Sequence, residues 1–379
     1  MPKAIVKQRP SVLLLTNSPT PYRFPVFESL TEQVDLTVCF CQGYDPARVW
    51  RVKPQSERVH YETLAARTLP LPGGIEIVWN PGLWARLRRD PFDVYIAGEN
   101  FTDFPSVLTL WRAARRWNKP FVLWSEAIDS PYASGNLVSN TYRRWLYPRT
   151  DAFIAYGQRP RDYLVRRGAA PDRVVLGLQV IPSEQLPPPA TDKTQLGLAG
   201  KTVVLYMGYF VTRKGVEHLV RAFQTVAGEK DVLALVGTGP EEAALRQMSQ
   251  SDSRIMFPGY FDGADKSSWY AAADLFVLPT LHDPWGIVVN EAMAFGLPIV
   301  TTEAAGCVPD IVKDQENGFV VPAGDENALS AALARLSKDA DLRRQMGQRS
   351  RAIIADYTTE AARDRFLLVI EQALGYRLK

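Results

Sequence analysis

Short apolar runs closed by turn residues alternate with helical stretches along this chain, and the series runs twice. In the first half the runs are "SVLLLTN" (11–17), "VDLTVCFCQ" (34–42), "FDVYIAGEN" (92–100), "PFVLWSEA" (120–127) and "DAFIAYGQ" (151–158). They are apolar at consecutive positions rather than alternate ones, the mark of strands covered on both faces. "RFPVFESLTEQ" and "PSVLTLWRAARRWN" supply helices between them. The second series has strands at 202–209, 231–239, 254–260, 274–280 and 298–302. "KGVEHLVRAFQTVA", "PEEAALRQMSQ", "SSWYAAA", "GIVVNEAMAFG" and "ENALSAALARLS" are its helices. Strand, helix, strand in repetition specifies a doubly wound parallel sheet. The stretch between the series, "IPSEQLPPPATDKTQLGLAG" (181–200), has four prolines and little apolar periodicity. It reads as a linker. A chain of 379 residues is too long for one ordinary core. The sequence therefore predicts an α/β protein with two Rossmann-like domains, residues 1–182 and 183–357, facing a central cleft. The last helix, within 358–379, is expected to pack back on the first domain.

Composition narrows the chemistry. Hydrophobic content of 46% and charged content of 22% are globular values. With His60, His218 and His282 the only histidines, a zinc site or a histidine-based triad is not expected. No metal and no bound cofactor is predicted. Cys39, Cys41 and Cys307 have no disulfide or metal spacing and read as small buried hydrophobes of a reducing compartment. No run of 18 apolar residues exists to span a membrane. The apolar run Val12 to Leu15, behind a basic N-terminus, is too short for a signal-peptide core. A cytoplasmic protein is expected, with no nucleic-acid partner. Charge is unevenly spread: residues 1–182 hold 24 Lys and Arg against 16 Asp and Glu, and residues 183–379 hold 20 against 25. Arginines adjoin aromatics in "LWRAARRWNK" (110–119) and "YRRWLYPR" (142–149). That suits an anionic acceptor or peripheral contact with an anionic membrane, or solvated helix faces with snorkelling arginines.

Three loops at strand ends of the second domain carry the candidate chemistry. "MGYFVTRKG" (207–215) turns at Gly208 and brings Arg213 and Lys214 to a helix N-terminus. Backbone N–H groups there already favour an anion, and two cations can hold a phosphate. "VGTGP" (236–240) places Gly237 and Gly239 where backbone must approach a ligand or neighbouring structure closely. "DPWGIVVNEAMAFG" (283–296) opens on Asp283 and then enters a helix that is apolar nearly all round, yet contains Glu291. Buried carboxylates need partners. The amides of Trp285, Gly286 and Ile287 are expected to face the crevice, where hydroxyl oxygens accept from them and hydroxyl protons go to the acids. A sugar offers both. The plainer alternative makes Asp283 a helix cap and Glu291 an exposed charge.

These residues resemble the retaining nucleotide-sugar glycosyltransferases of the GT-B fold, family 4, also called glycosyl transferases group 1. Asp283-x7-Glu291 matches that family's paired acids, Gly237-Thr238-Gly239-Pro240 its glycine turn, and Lys214-Gly215 its lysine at a helix start. "GLPIVTTEAAGCVPDIV" and "NGFVVPAGD" (296–325) match the segment that follows. The likeness is close over 200–335 and looser over 11–30 and 90–160. It implies a metal-independent hexosyltransferase using a UDP- or GDP-linked sugar and a glycan, lipid-linked or small-molecule acceptor. It implies that Glu291 binds the ribose, Asp283 contacts the hexose, Lys214 and Arg213 hold the diphosphate, and Phe261 lies near the base. The chain also departs from the family. Tyr209 stands where an arginine is usual, Asp283 where glutamate is usual, and "SPTPYRFP" (18–25) where a Gly-Gly loop is usual. Tyr22 and Arg23 thereby become acceptor-side candidates. Glu126 occupies the place of a frequent cleft histidine. The implied chemistry is front-face transfer assisted by the leaving phosphate, with Glu126 the one candidate nucleophile. A nucleotide-sugar binder without transferase activity, or a sugar-nucleotide epimerase, are the alternatives.

Overall fold

The computed structural model describes residues 9–44, 53–71, 75–129, 137–182 and 185–378. The basic start of the chain (1–8) and positions 183 and 184 of the linker lie outside the described residues. Two compact units emerge: Met1–Ala127, Gly135–Leu178 and Thr359–Lys379 form one, and Ile128–Ser134 with Gln179–Thr358 the other.

In the first unit the strands are β1 (Ser11–Thr16), β2 (Asp35–Phe40), β3 (His60–Thr63), β4 (Arg67–Leu71), β5 (Ile75–Trp79), β6 (Val94–Glu99), β7 (Phe121–Ser125), β8 (Ala152–Ala155) and β9 (Val174–Leu176). Seven of them form a sheet in the order β3-β2-β1-β6-β7-β8-β9. Its pairings are parallel, for example Leu14 with Val38 and Val122 with Ala152. β4 and β5 make a separate antiparallel hairpin. The helices are α1 (Phe24–Leu30), α2 (Leu83–Arg89), α3 (Phe104–Arg116), α4 (Leu137–Leu146) and α5 (Gln158–Arg166). Prolines start α1 and α3, where the missing N–H costs nothing. Leu13, Tyr95, Leu110, Phe121 and Phe153 are fully enclosed at the centre of the unit.

The second unit contains β10 (Thr202–Met207), β11 (Asp231–Val236), β12 (Ile255–Gly259), β13 (Leu275–Leu278), β14 (Ile299–Thr302) and β15 (Gly318–Val321). All are parallel, in the order β12-β11-β10-β13-β14-β15. Its helices are α6 (Val216–Val226), α7 (Glu242–Met248), α8 (Gly263–Ala272), α9 (Ile287–Ala294), α10 (Glu326–Lys338) and α11 (Ala340–Ile354). The helix expected to run on to Gly296 thus stops at Ala294. Asp262 caps α8 and Asp325 caps α10 through side-chain oxygens that accept backbone N–H groups. The final helix α12 (Thr359–Leu374) belongs to the first unit and buries Ala362, Phe366, Val369 and Ile370 there.

The arginine-rich segments sit at helix ends. Arg86, Arg88 and Arg89 occupy the last turn of α2, Arg115 and Arg116 that of α3, and Arg143 and Arg144 that of α4. Positive charge there complements the helix dipole. Cys39, Cys41 and Cys307 are buried, and burial, then Glu62, pushes the Cys39 thiol up to about 12. Among the described residues no helix is long and apolar enough to cross a membrane.

Candidate active site

Two loops at the carboxyl ends of β10 and β13 build the core of the site. Beyond β10 the chain turns at Gly208, whose φ of +156° is open to glycine. It then winds through a 3-10 turn, Thr212–Lys214, into α6. Gly215 between them has φ +65°, and a Cβ there would lie 2.2 Å from the Pro279 carbonyl oxygen. Only glycine lets the two loops meet this closely. The Arg213 carbonyl then accepts from Leu281 N (2.8 Å), Thr280 Oγ1 (2.9 Å) and His282 N (3.1 Å). Arg213 and Lys214 are thereby locked against the segment that carries Asp283.

Asp283 forms an ion pair with Lys214 and is 7% exposed. Burial works against its charge. Lys214 first, then Arg213 and the Trp285 amide, more than offset that and hold the carboxyl below the usual range. A strut fixes this loop from behind: Gly306 N donates to the Asp283 carbonyl (2.8 Å) and Cys307 N to that of Trp285 (3.0 Å). A Cβ on Gly306 would stand 1.7 Å from the Pro284 carbonyl oxygen.

Glu291, on α9, is also 7% exposed. Lys266 Nζ donates to its Oε1 at 2.8 Å and the Tyr270 hydroxyl to its Oε2 at 2.6 Å. Both donors come from one face of α8, four positions apart. Burial, then Glu291 itself, pushes the Tyr270 hydroxyl well above its ordinary value. The two acids are therefore tolerated inside because each has a lysine, and neither acts as a cap or an exposed charge. Helix α9 is capped by Gly286 at φ +90°, without a side-chain cap.

One expectation is corrected. The Trp285 amide does not face open space: it donates to Asp283 Oδ1 at 3.3 Å. An aspartate two residues back closes this local turn as readily as a ligand would. The Trp285 ring is buried, and its Nε1 donates to Asn290 Oδ1 at 2.8 Å. Asn290 in turn donates to the Gln179 carbonyl at 2.7 Å. Trp285 is a wedge under the loop. Gly237 (φ +147°) serves neighbouring structure, since a Cβ would lie 1.9 Å from the Gly208 carbonyl oxygen. Phe261 follows β12 and packs on Trp269, with ring centroids 5.9 Å apart. Ile287 opens α9.

Tyr22, Arg23 and Glu126 lie in the first unit. Arg23 stacks on Trp124, and Glu126 acts on its charge. Sequence reasoning missed Lys266 and Tyr270, which hold Glu291, and it missed Glu99. That carboxylate is buried at the end of β6 and bound by Ser125 Oγ (2.5 Å), the Tyr147 hydroxyl (2.6 Å) and Arg143 Nε (2.7 Å). Arg143 from "YRRWLYPR" is thus spent on an internal ion pair. Among the described residues no cluster of His, Cys, Asp or Glu could hold a metal.

Residues 201–339 match the model of the family described as glycosyl transferases group 1. This segment, which holds Lys214, Asp283 and Glu291, is similar to the group 1 glycosyltransferases. A lipopolysaccharide core biosynthesis glycosyltransferase, LpsE of Rhizobium meliloti, is 32% identical over 187 residues, 48% of this chain and 53% of the relative. A phosphatidyl-myo-inositol mannosyltransferase of Mycobacterium leprae is 29% identical over 319 residues, 78% of this chain and 83% of that one. The chain spans about half the length of the first curated relatives it matches. Among solved structures, Anabaena HepE in complex with UDP and glucose superposes with a TM-score of 0.75 at 18% identity, over 96% of this chain and 99% of its own. Sucrose-phosphate synthase of Thermosynechococcus elongatus gives 0.77 at 21%, over 97% and 100%. The fold of the chain is GT-B.

Proposed function

We propose that this protein is a retaining glycosyltransferase, moving a hexosyl group from a nucleoside-diphosphate sugar to an acceptor hydroxyl. The observation that carries this reading is the meeting of Lys214, Arg213 and Asp283 at the ends of β10 and β13, with Glu291 inside α9 beyond them. Cations suited to a diphosphate stand beside a carboxylate suited to sugar hydroxyls. Relatives named as glycosyl- and mannosyltransferases, and a structural neighbour solved with UDP and glucose, support the reading.

In the reaction we propose, Lys214, Arg213 and the N-terminus of α6 hold the diphosphate. Glu291 accepts from the ribose hydroxyls; a carboxylate has room for them beside Lys266 and Tyr270. Asp283 faces the hexose, where positive charge grows at the anomeric carbon. As the anomeric C–O bond breaks, its electron pair goes to the β-phosphate oxygen, and the two cations neutralise the charge that develops. The acceptor hydroxyl attacks from the same face, and its proton passes to the departing phosphate oxygen. Those cations are the counter-charge of the leaving group, so turnover is expected to persist in a metal chelator.

The test is incubation with a panel of UDP- and GDP-linked hexoses, following diphosphate release and the anomeric proton of the product by NMR. Retained configuration is expected. An inverted product would overturn the mechanism. Nucleotide binding with neither transfer nor hydrolysis would make the protein a binding module.

A further inference from the structure

A cation in the first unit, Arg23, is held by neutral side chains, and among the described residues no carboxylate forms an ion pair with it. Arg23 follows Pro21 in the 3-10 turn after β1. Its Nη1 donates to Thr16 Oγ1 at 3.3 Å and its Nη2 to the Tyr156 hydroxyl. Its guanidinium carbon stands 4.3 Å from the centre of the Trp124 ring and 5.7 Å from those of Tyr22 and Tyr156. All these partners are neutral. Nε is shut off from solvent with no hydrogen-bond partner. Among the described residues no ion pair joins Arg23 to a carboxylate. Glu126 acts on it electrostatically and has a partner of its own.

The guanidinium is half-buried, and its contact with the Trp124 face and the more distant charge of Glu126 help offset its desolvation. Its place in the sheet says what completes it. Thr16 ends β1, Trp124 is one residue from the end of β7, and Tyr156 follows β8 directly. Open α/β sheets take their ligands at the carboxyl ends of such strands. The planar fork of an arginine suits the oxygens of a phosphate or carboxylate.

We propose that Arg23, caged by Trp124, Tyr156 and Thr16, anchors an anion site in the first unit that takes a phosphate or carboxylate carried by the acceptor. The word acceptor rests on the transferase reading; the anion site does not. The site discriminates among hydroxyl acceptors by charge, since a neutral one brings no oxyanion to the guanidinium fork.

The experiment uses the full chain and simple probes. Glycerol 3-phosphate and glycerate each pair a hydroxyl with an oxyanion; glycerol is the neutral control. Binding is followed by calorimetry and by tryptophan fluorescence, with UDP or GDP present to fill the nucleotide site. The two anions should bind and glycerol should not, and Arg23→Gln should weaken anion binding by about 10- to 100-fold, the loss of a charge-assisted contact. Which anion binds more tightly separates phosphate-bearing from carboxylate-bearing acceptors. Equal anion binding by wild type and Arg23→Gln, or none by wild type, would overturn the site. Thermal melting of Arg23→Met guards against misreading a folding defect. A cation held for a ligand predicts melting close to the wild-type temperature, and a large fall would show Arg23 to be structural and overturn the proposal. If wild type binds neither UDP nor GDP, the donor reading fails while the anion result still stands or falls by itself.

Discussion

Asp283 does two jobs that pull in opposite directions. It faces the sugar in the proposed mechanism, and it also holds Lys214, the cation meant for the diphosphate. A diphosphate must therefore win Lys214 from a carboxylate already in place. Asp283→Asn keeps the shape and removes the competitor. Bare UDP or GDP should then bind more tightly by about tenfold, roughly 1.4 kcal/mol. That is a fraction of the roughly 4 kcal/mol which two charges 4 Å apart exchange near a protein surface. Turnover should nevertheless fall, because the group facing the anomeric centre is gone. Glu291→Gln should act with the opposite sign, weakening bare diphosphate by roughly 1.5–3 kcal/mol for a charged hydrogen bond to the ribose. Lys214→Ala should lower turnover on the order of 100-fold, about 2.7 kcal/mol of leaving-group stabilisation. Calorimetry with the diphosphates alone ranks the first two variants. Weaker binding by Asp283→Asn would show that Asp283 supports the anion rather than competing with it.

At the scale of elements, the loop that presents Asp283 is set by glycines whose neighbours leave no room for a side chain. Gly306→Ala would place a methyl against the Pro284 carbonyl, a backbone atom that cannot rotate away. The strut from Gly306 to Asp283 should part, at a cost of about 1–3 kcal/mol as in other overpacked sites. Melting temperature and turnover should both drop; a variant that melts and turns over like wild type would show the strut to be dispensable. Such details mark where the sequence stops being legible. The double series of apolar strands could be read locally because buried parallel strands announce themselves in four or five consecutive residues. β15 leaves little trace in the sequence because "GFVV" is only four residues long, opens on glycine and follows an asparagine. Helix α11 shows no apolar stripe because it buries only Met346, Gly347 and Ser350 in its fifteen residues. Asp283 and Glu291 stood out as acids in an apolar setting. Their pairing with lysines did not, because Lys214 lies 69 positions from Asp283 and Lys266 lies 25 from Glu291. Pairings of that range are made by the sheet order, and a short stretch of sequence does not record them.

At the scale of the whole chain, the end returns to the beginning. Helix α12 seats Phe366, Leu367, Val369 and Ile370 in the first unit, all 6% exposed or less. Phe366 meets the Trp124 ring edge-on, with centroids 5.1 Å apart. The same Trp124 carries Arg23 on its face. Burial of side chains of this kind contributes roughly 1.5–3 kcal/mol each. Four of them together come to about 6–12 kcal/mol, an upper estimate because unfolded chains already shield some apolar surface. That is as large as the net stability of an ordinary domain, about 5–15 kcal/mol. A chain ending at Thr358 should therefore lose its first unit while keeping the second, which has its own six-stranded sheet and core. Hydrogen exchange followed by mass spectrometry reads the two separately. In the shortened protein, amides of β1, β6, β7 and β8 should exchange freely, and those of β10, β11, β13 and β14 should stay protected. Bare UDP or GDP, held by second-unit residues, should still bind, while anion binding at Arg23 should vanish. Continued protection of β1 and β6 without α12 would mean that the first unit folds on its own and that the helix is only an outer brace.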